Sequence, residues 1–350
     1  MPSSTTLPYH KAMKNNTVGN LHRWLALVLI SVMIPACAHY NPLEDVSLRL
    51  PHHTGGLKVT FVGNSTFLIS DGKTHLMVDG FVSRPGPPQT LFGRIGPDSR
   101  EIQRVLDALG VRKLDAILVG HAHHDHALDA TSMAKTTGAV VIGSDSVGYI
   151  YEGAVGSRND GGFIEVPHDG LTQRWGAFTI RFAPSDHVSS HLLPQTLVEG
   201  CIKAPLKMPA HFWRFKCGQV FALHITHPDG SFVVTTTAGA KAGQFKGLKA
   251  DVVFLGVGFL SKECSAKQDH YWKHTVQSVD PRTVIPIHWD DFSRKLHRGL
   301  KPLPTDDLEA AINLVRTKAE AERRVVRVMD CLETLWMRKG KVIGSSRDPL

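Results

Sequence analysis

Histidines dominate a short stretch in the first half of the chain. Residues 121–126 are His-Ala-His-His-Asp-His, and they follow a mostly apolar run at residues 114–119. The apolar run predicts a buried strand, and residues 128–137 predict a helix that ends at Gly138. The histidines would then occupy a tight loop at the carboxyl end of a strand. Because neutral imidazole and carboxylate oxygen both bind zinc, this spacing predicts a metal site rather than a solvated histidine tract.

The pattern His121-x-His123-x-Asp125-His126 resembles the signature of the metallo-β-lactamase superfamily. Further segments resemble that superfamily in the same order along the chain, namely residues 61–69, 75–80, 183–187 and 284–289. The likeness covers residues 57–300. It implies an α/β (α+β) fold, a four-layer αββα sandwich in which helices cover the outer faces of two sheets.

The resemblance also implies a pair of metal sites. Carried over position by position, the ligands are His121, His123 and His187 for the first metal and Asp125, His126 and His288 for the second. Asp79 and His124 would support these ligands from behind. Two metals ~3.5–4 Å apart lower the pKa of bound water and stabilise the attacking and leaving oxygens. The implied activity is hydrolysis by a metal-bound hydroxide, with Asp125 and Asp290 as the candidate catalytic carboxylates.

Within the superfamily, residues 62–66 and 285–289 resemble one branch in particular. That branch holds the ascorbate-phosphate lactonases and the phospholipase D that cleaves N-acylated phosphatidylethanolamine. The likeness implies an ester, a lactone or a phosphodiester as substrate and does not choose among them.

The sequence departs from the superfamily at the carboxylate that bridges the two metals. The equivalent turn is Thr-Thr-Thr-Ala-Gly at residues 235–239, so Thr236 stands beside the site without a charge. Asp290, two residues after His288, either replaces that carboxylate or caps the start of a loop. We therefore expect one tightly bound Zn²⁺ and a second that is weak or absent, with Mn²⁺ or Fe²⁺ as alternatives. The missing carboxylate also leaves a second hypothesis, a non-catalytic metal- or ligand-binding lipoprotein.

The amino terminus predicts export. Lys14 and Arg23 precede an apolar run at residues 24–34 that is too short to span a bilayer. The run ends in Ile-Pro-Ala-Cys at residues 34–37, which resembles a bacterial lipobox. We predict a lipoprotein-type signal peptide at 1–36, a tether at 37–56 and the sandwich domain at 57–350. A plain signal peptide cleaved nearby is the alternative. Lipidated Cys37 would anchor the domain to a bacterial membrane, facing the periplasm.

Composition adds few restrictions. The formal charge is +8 for 350 residues, which fits an anionic substrate or lipid surface and proves neither. We expect a small-molecule or lipid-like substrate and no nucleic-acid partner. Export permits disulfides, and Cys201 and Cys217 bracket an insertion, so a bond between them is predicted.

Three local expectations concern the elements around these motifs. Residues 57–69 and 73–78 predict a two-stranded hairpin that turns at residues 71–72. Thr305 predicts the start of a long helix that reaches Ala321, and residues 324–329 predict the last strand.

Overall fold

The computed structural model describes residues 41–43, 55–191 and 193–347. The predicted signal peptide, Cys37 and most of the predicted tether lie outside these residues. Within them, no helix combines the length and the apolar character needed to cross a membrane.

Fifteen strands of the described chain form two sheets. The first sheet has the order β15-β14-β1-β2-β3-β4-β5-β6, and the second has the order β13-β12-β11-β10-β9-β8-β7. The first sheet contains β1 Leu57–Gly63, β2 Thr66–Ser70, β3 His75–Val78, β4 Ala116–Leu118, β5 Val140–Gly143, β6 Phe163–Glu165, β14 Thr334–Arg338 and β15 Lys341–Ser345. The second contains β7 Leu171–Trp175, β8 Phe178–Ser185, β9 Val220–His227, β10 Gly230–Thr235, β11 Val252–Gly256, β12 Thr283–Ile287 and β13 Val325–Val326.

Helices connect the strands of both sheets. They are α1 Pro87–Phe92, α2 Ser99–Leu109, α3 His124–Ala127, α4 Ala130–Thr137, α5 Asp145–Val155, α6 Gln195–Val198, α7 Ser265–Trp272 and α8 Leu308–Ala321. A π-helical segment, Lys273–Gln277, extends α7, and short 3₁₀ turns occur at Phe212–Arg214, Leu260–Lys262 and Leu296–Arg298.

Buried apolar side chains form three separate layers, which define the architecture. The middle layer joins the inner faces of the two sheets, with Phe67 of β2 against Phe254 of β11. A second layer packs α2, α4 and α5 on the outer face of the first sheet. The third packs α7 and α8 on the outer face of the second sheet. The predicted αββα sandwich is confirmed.

The predicted turn at residues 71–72 is confirmed, because it joins β2 to an antiparallel β3, but residues 57–69 form two strands and not one. The chain already reverses at Asn64 and Ser65, so that β1 pairs with β2 and Phe61 lies opposite Phe67. Asn64 takes a left-handed conformation with φ of 55°. Apolar residues on both sides of this turn hide it in the sequence, although asparagine is one of the residues that tolerate such backbone angles.

The chain end and the cysteines also differ from prediction. Residues 324–329 contain only the short β13, and β14 and β15 follow it, with β14 pairing with β1. Helix α8 is capped by Asp307, which accepts a hydrogen bond from the backbone N–H of Ala310 at 3.0 Å, and not by Thr305. The predicted disulfide is wrong, because Cys201 and Cys217 are both free thiols.

Candidate metal centre

The histidine loop is fixed at the carboxyl end of β4. The Gly120 N–H donates to Asp79 Oδ1 at 2.9 Å, which turns the chain toward His121. A Cβ atom at Gly120 would lie 2.3 Å from Thr236 Oγ1, so a larger residue would displace that threonine. Residues His124–Ala127 then form a helical turn, with the His126 N–H donating to the His123 carbonyl at 3.1 Å.

The remaining candidate ligands follow strands that end at the same place. His187 comes two residues after β8, and His288 comes directly after β12. His288 has φ of 56°, and its N–H donates to the Asn64 carbonyl at 2.7 Å, which holds this strained residue against the β1–β2 turn. The sandwich therefore brings residues from widely separated parts of the chain to one edge.

The six predicted ligands form two groups. One contains His121, His123 and His187 and the other Asp125, His126 and His288, with the ligand atoms of each group within 4.8 Å of one another. In the second group Asp125 Oδ2 lies 3.2 Å from Nε2 of both His126 and His288, and these two nitrogens are also 3.2 Å apart. Ligand atoms on a tetrahedral zinc with bonds of ~2.0–2.1 Å are ~3.3 Å apart, so this group fits a metal ion.

Hydrogen bonds on the opposite ring nitrogens orient the first group. His123 Nε2 donates to the Val198 carbonyl at 3.1 Å, and His187 Nδ1 donates to the Val188 carbonyl at 2.7 Å. These bonds leave Nδ1 of His123 and Nε2 of His187 unprotonated and available to a metal.

His121 gives the sharpest test of whether a metal fits. Its Nδ1 lies 3.3 Å from Thr236 Oγ1, while its Nε2 is buried without a hydrogen-bond partner among the described residues. A buried imidazole nitrogen without a partner is costly unless something binds it. Thr236 thus contacts a candidate ligand, as predicted, and the orphaned nitrogen fits a metal ion.

Burial sets the protonation of the first group. Burial, together with the neighbouring imidazoles, lowers the pKa of His121 well below the ordinary value, that of His123 to about 3 and that of His187 to about 4. The three rings are therefore neutral at pH 7, which is the form that binds metal.

The second group is charged. Burial opposes the protonation of His126, but the carboxylates of Asp125 and Asp79 outweigh it and raise the pKa of His126 to about 10. Burial likewise opposes the charged form of Asp125, yet His126 and His288 hold its pKa well below the usual range. A metal entering this group must displace a proton.

Asp79 contacts the second group from behind. Its Oδ2 accepts hydrogen bonds from His126 Nδ1 at 2.7 Å and from Ser65 Oγ at 2.5 Å. This arrangement fixes the ring of His126 with Nε2 toward the ligand group. The contact of Ser65 with Asp79 was not predicted, because Ser65 is one of many serines in the sequence.

Asp290 does not lie where a bridging carboxylate is needed. Its Oδ2 forms a 2.6 Å ion pair with Arg84, and its Oδ1 accepts the Asn64 N–H at 2.6 Å. The two side chains are 0% and 1% exposed. Arg84 engages one carboxylate oxygen and the Asn64 N–H engages the other. The structure therefore contradicts the prediction that Asp290 replaces the missing carboxylate. Asp290 instead holds Asn64, whose amide donates to the Asp125 carbonyl at 2.7 Å.

His124 also has a different place from the one predicted. Its ring lies between Phe212, Phe215 and Phe292, and its Nδ1 is 3.9 Å from Asp125, too far for a hydrogen bond. It forms part of the wall of a pocket beside both ligand groups. Two of the four phenylalanines in the described lining, Phe212 and Phe215, come from the insertion between Cys201 and Cys217.

Comparisons with known proteins agree with this geometry. Residues 59–189 match the family model of the metallo-beta-lactamase superfamily. A UPF0173 metal-dependent hydrolase of Christiangramia forsetii is 34% identical over 96 residues, which are 27% of this chain and 36% of that protein. A UPF0173 metal-dependent hydrolase of Chelativorans is 32% identical over 136 residues, or 38% of this chain and 50% of that protein. The matches thus span half or less of these relatives' lengths.

Solved structures align with most of the chain. The metallo-beta-lactamase fold protein YhfI of Bacillus subtilis aligns with 81% of this chain and 99% of its own, at 16% identity and a TM-score of 0.49. The isothiocyanate hydrolase from Delia radicum gut bacteria aligns with 79% and 98%, at 13% identity and a TM-score of 0.46. The family match over residues 59–189 and the two helix-covered sheets described above agree with the resemblance to the metallo-beta-lactamase superfamily.

The uncharged Thr236 makes a prediction about metal content. Replacing Thr236 with Asp supplies an anionic ligand beside His121, so bound zinc should rise from about one per chain toward two. Thr236→Asn is the matched control, because it has nearly the same shape without the charge, and should stay at about one. Elemental analysis after dialysis against buffered zinc measures the content. Two tightly held metals in the unmodified protein would contradict this account.

The Arg84–Asp290 pair makes a prediction about stability. Arg84→Met leaves a buried carboxylate without its cation, and Asp290→Asn leaves a buried guanidinium without its anion. Each should lower the free energy of unfolding by about 3–5 kcal/mol, measured by urea denaturation. Arg112→Met is the control, because its ion pair with Asp107 has the same 2.6 Å length but is exposed, and it should cost about 0–1 kcal/mol. Equal effects of Arg84→Met and Arg112→Met would refute the role given to the buried pair.

Proposed function

We propose that this protein is a metal-dependent hydrolase of the cell envelope that acts on an ester, a lactone or a phosphodiester. The observation that carries the proposal is the pair of ligand groups, one of neutral imidazoles and one with a carboxylate, opening onto a single pocket. The curated relatives named as metal-dependent hydrolases support the same class of activity.

The chain's own residues supply binding and proton transfer. His121, His123 and His187 would hold one divalent metal, and Asp125, His126 and His288 would hold another more weakly. Such metals, when bound, lower the pKa of water and polarise the oxygen of the scissile group. Asp125 lines the pocket, so its carboxylate is placed to accept a proton from the attacking water and return it to the leaving oxygen.

A second function is favoured by one observation. The position of the bridging carboxylate is taken by Thr236, and Asp290 does not replace it. A chain that keeps the fold and one metal site could bind a ligand without turning it over. Zinc that binds without any turnover would favour this alternative.

The test of the hydrolase proposal combines metal content with turnover. Purified protein is assayed with para-nitrophenyl esters, chromogenic lactones and bis(para-nitrophenyl) phosphate, with and without added zinc. We expect zinc-dependent hydrolysis of at least one class, reduced at least about a hundredfold by His123→Ala and less by His288→Ala. His168→Ala is the control, because His168 is exposed and pairs with Gln219. Metal binding without turnover of any class would contradict the proposal.

We further propose that Cys37 becomes the lipidated amino terminus and anchors the protein to a bacterial membrane. The support is the short apolar run that ends in Ile-Pro-Ala-Cys at residues 34–37. Mass spectrometry of membrane fractions should find a diacylated Cys37 peptide, and Cys37→Ser should release the protein from those fractions. An unmodified amino terminus elsewhere, on protein in the soluble fraction, would refute the anchor.

A further inference from the structure

The pocket beside the two ligand groups has an unusual lining for a site that would take an anion. Seven of its described lining residues are aliphatic or aromatic, namely Val188, Leu193, Val198, Phe212, Phe215, Phe259 and Phe292. Two carboxylates, Asp125 and Glu199, also line it, while the described lining contains no lysine or arginine. An anion placed there would have only the metals as counter-charges.

Lysines on the neighbouring segments are engaged by other groups. Lys262 lies 5.4 Å over the Phe259 ring but donates to the Thr305 carbonyl, and Lys267 donates to Ser189 Oγ and pairs with Glu263. Lys216 follows Phe215, but its ammonium donates to the carbonyls of Thr196 and Leu197 at 2.7 and 2.9 Å. Lys295, three residues after Phe292, donates to the Ser83 carbonyl at 2.5 Å. These bonds engage the lysines around the pocket, and the described lining itself has no lysine or arginine to face an anion.

We propose that the pocket receives an uncharged, apolar group of the substrate, so that the bond cleaved is that of a carboxylic ester or a lactone and not of a phosphodiester. This inference rests on the proposed hydrolase function and narrows its substrate class. Water oxygen bonds to the acyl carbon, the acyl carbon–oxygen bond breaks, and the proton goes to the leaving oxygen, which gives a carboxylic acid and an alcohol. Burial of an apolar acyl group against the phenylalanines lowers the free energy of binding. A carboxylate or phosphate on the same part of the substrate would lose its water without gaining a cationic partner from the wall.

Contacts between side chains also fix the apolar wall of the pocket. The ring centroid of His124 lies 6.1 Å from that of Phe292 and 6.3 Å from that of Phe212, and both contacts are edge-on. Phe259 is held in a left-handed conformation with φ of 59° by a 2.7 Å hydrogen bond from its N–H to Asp306. Strain of this kind persists where the surrounding structure fixes it, which keeps an apolar ring at the pocket.

The test compares two substrates whose acyl chains end in a methyl group and in a carboxylate. Para-nitrophenyl butyrate and para-nitrophenyl hemisuccinate have chains of the same length, and the second ends in a carboxylate. We expect kcat/KM for the butyrate to exceed that for the hemisuccinate by about thirtyfold or more. From acetate to hexanoate, each added methylene should raise kcat/KM about fourfold. Faster hydrolysis of the hemisuccinate, or of bis(para-nitrophenyl) phosphate, would overturn the substrate class while leaving the hydrolase function standing.

A charge placed in the wall supplies the matched variant. Val198 is half-buried and lines the pocket, so Val198→Lys puts a cation there. It should reduce the preference for butyrate over hemisuccinate at least about tenfold, while Val198→Met, of similar length without charge, should leave the ratio unchanged. Equal ratios in the lysine and methionine variants would overturn the proposal.

If no substrate is hydrolysed, the proposed hydrolase function is wrong. A binding measurement then tests the apolar pocket by itself. The neutral probe N-phenyl-1-naphthylamine should bind the unmodified protein with increased emission and bind Val198→Lys at least about tenfold more weakly. No binding to the unmodified protein would overturn the apolar pocket independently of catalysis.

Discussion

The buried carboxylate of Asp79 is the interaction on which the geometry of the centre depends. It accepts hydrogen bonds from Ser65 on the β1–β2 turn, from the Gly120 N–H before the histidine loop, and from His126 within that loop. Asp79 is 0% exposed. Loss of any one of these donors would therefore leave its buried carboxylate with an unsatisfied hydrogen-bonding position. One side chain thereby ties together three elements and sets which nitrogen of His126 faces the ligand group.

The Arg84–Asp290 pair extends this support to the other side of the same group. Asp290 fixes the backbone of Asn64, and Asn64 in turn contacts Asp125 through its amide and His288 through its carbonyl. Arg84 Nη1 makes the short contact and also donates to the carbonyls of Asp291 and Arg294. The cost of burying the two charges is offset only in part, because Arg84 Nε and Nη2 have no hydrogen-bond partner among the described residues. A residue that looked like a substitute ligand therefore acts by positioning the ligands that are present.

The sequence could predict the ligands and the supporting Asp79, but not the parts played by Ser65, Arg84 and Asp290 in orienting them. His121, His123, Asp125 and His126 lie within one loop, so their spacing in the sequence is enough to predict that they lie close together. Arg84 and Asp290 are 206 positions apart, and their pairing follows from the packing of the two sheets. Arginine is rarely buried, so nothing local marks Arg84 as an interior residue. The β1–β2 turn was missed for a related reason, because apolar residues flank Asn64 and Ser65 on both sides.

The burial that keeps the first three histidines neutral also limits what the neighbouring pocket can accept. Low polarity around His123 and His187 lowers their pKa values to about 3 and about 4. The same phenylalanine-rich surroundings stabilise uncharged groups, and the described lining offers an anion no lysine or arginine. Without a bridging carboxylate at Thr236, the metals themselves would be less neutralised by the protein, so they would attract an anion as well as polarise a neutral carbonyl oxygen. The composition of the wall, and not the charge of the metals, therefore supports the proposed substrate, an uncharged acyl group that develops its negative charge only as it reacts.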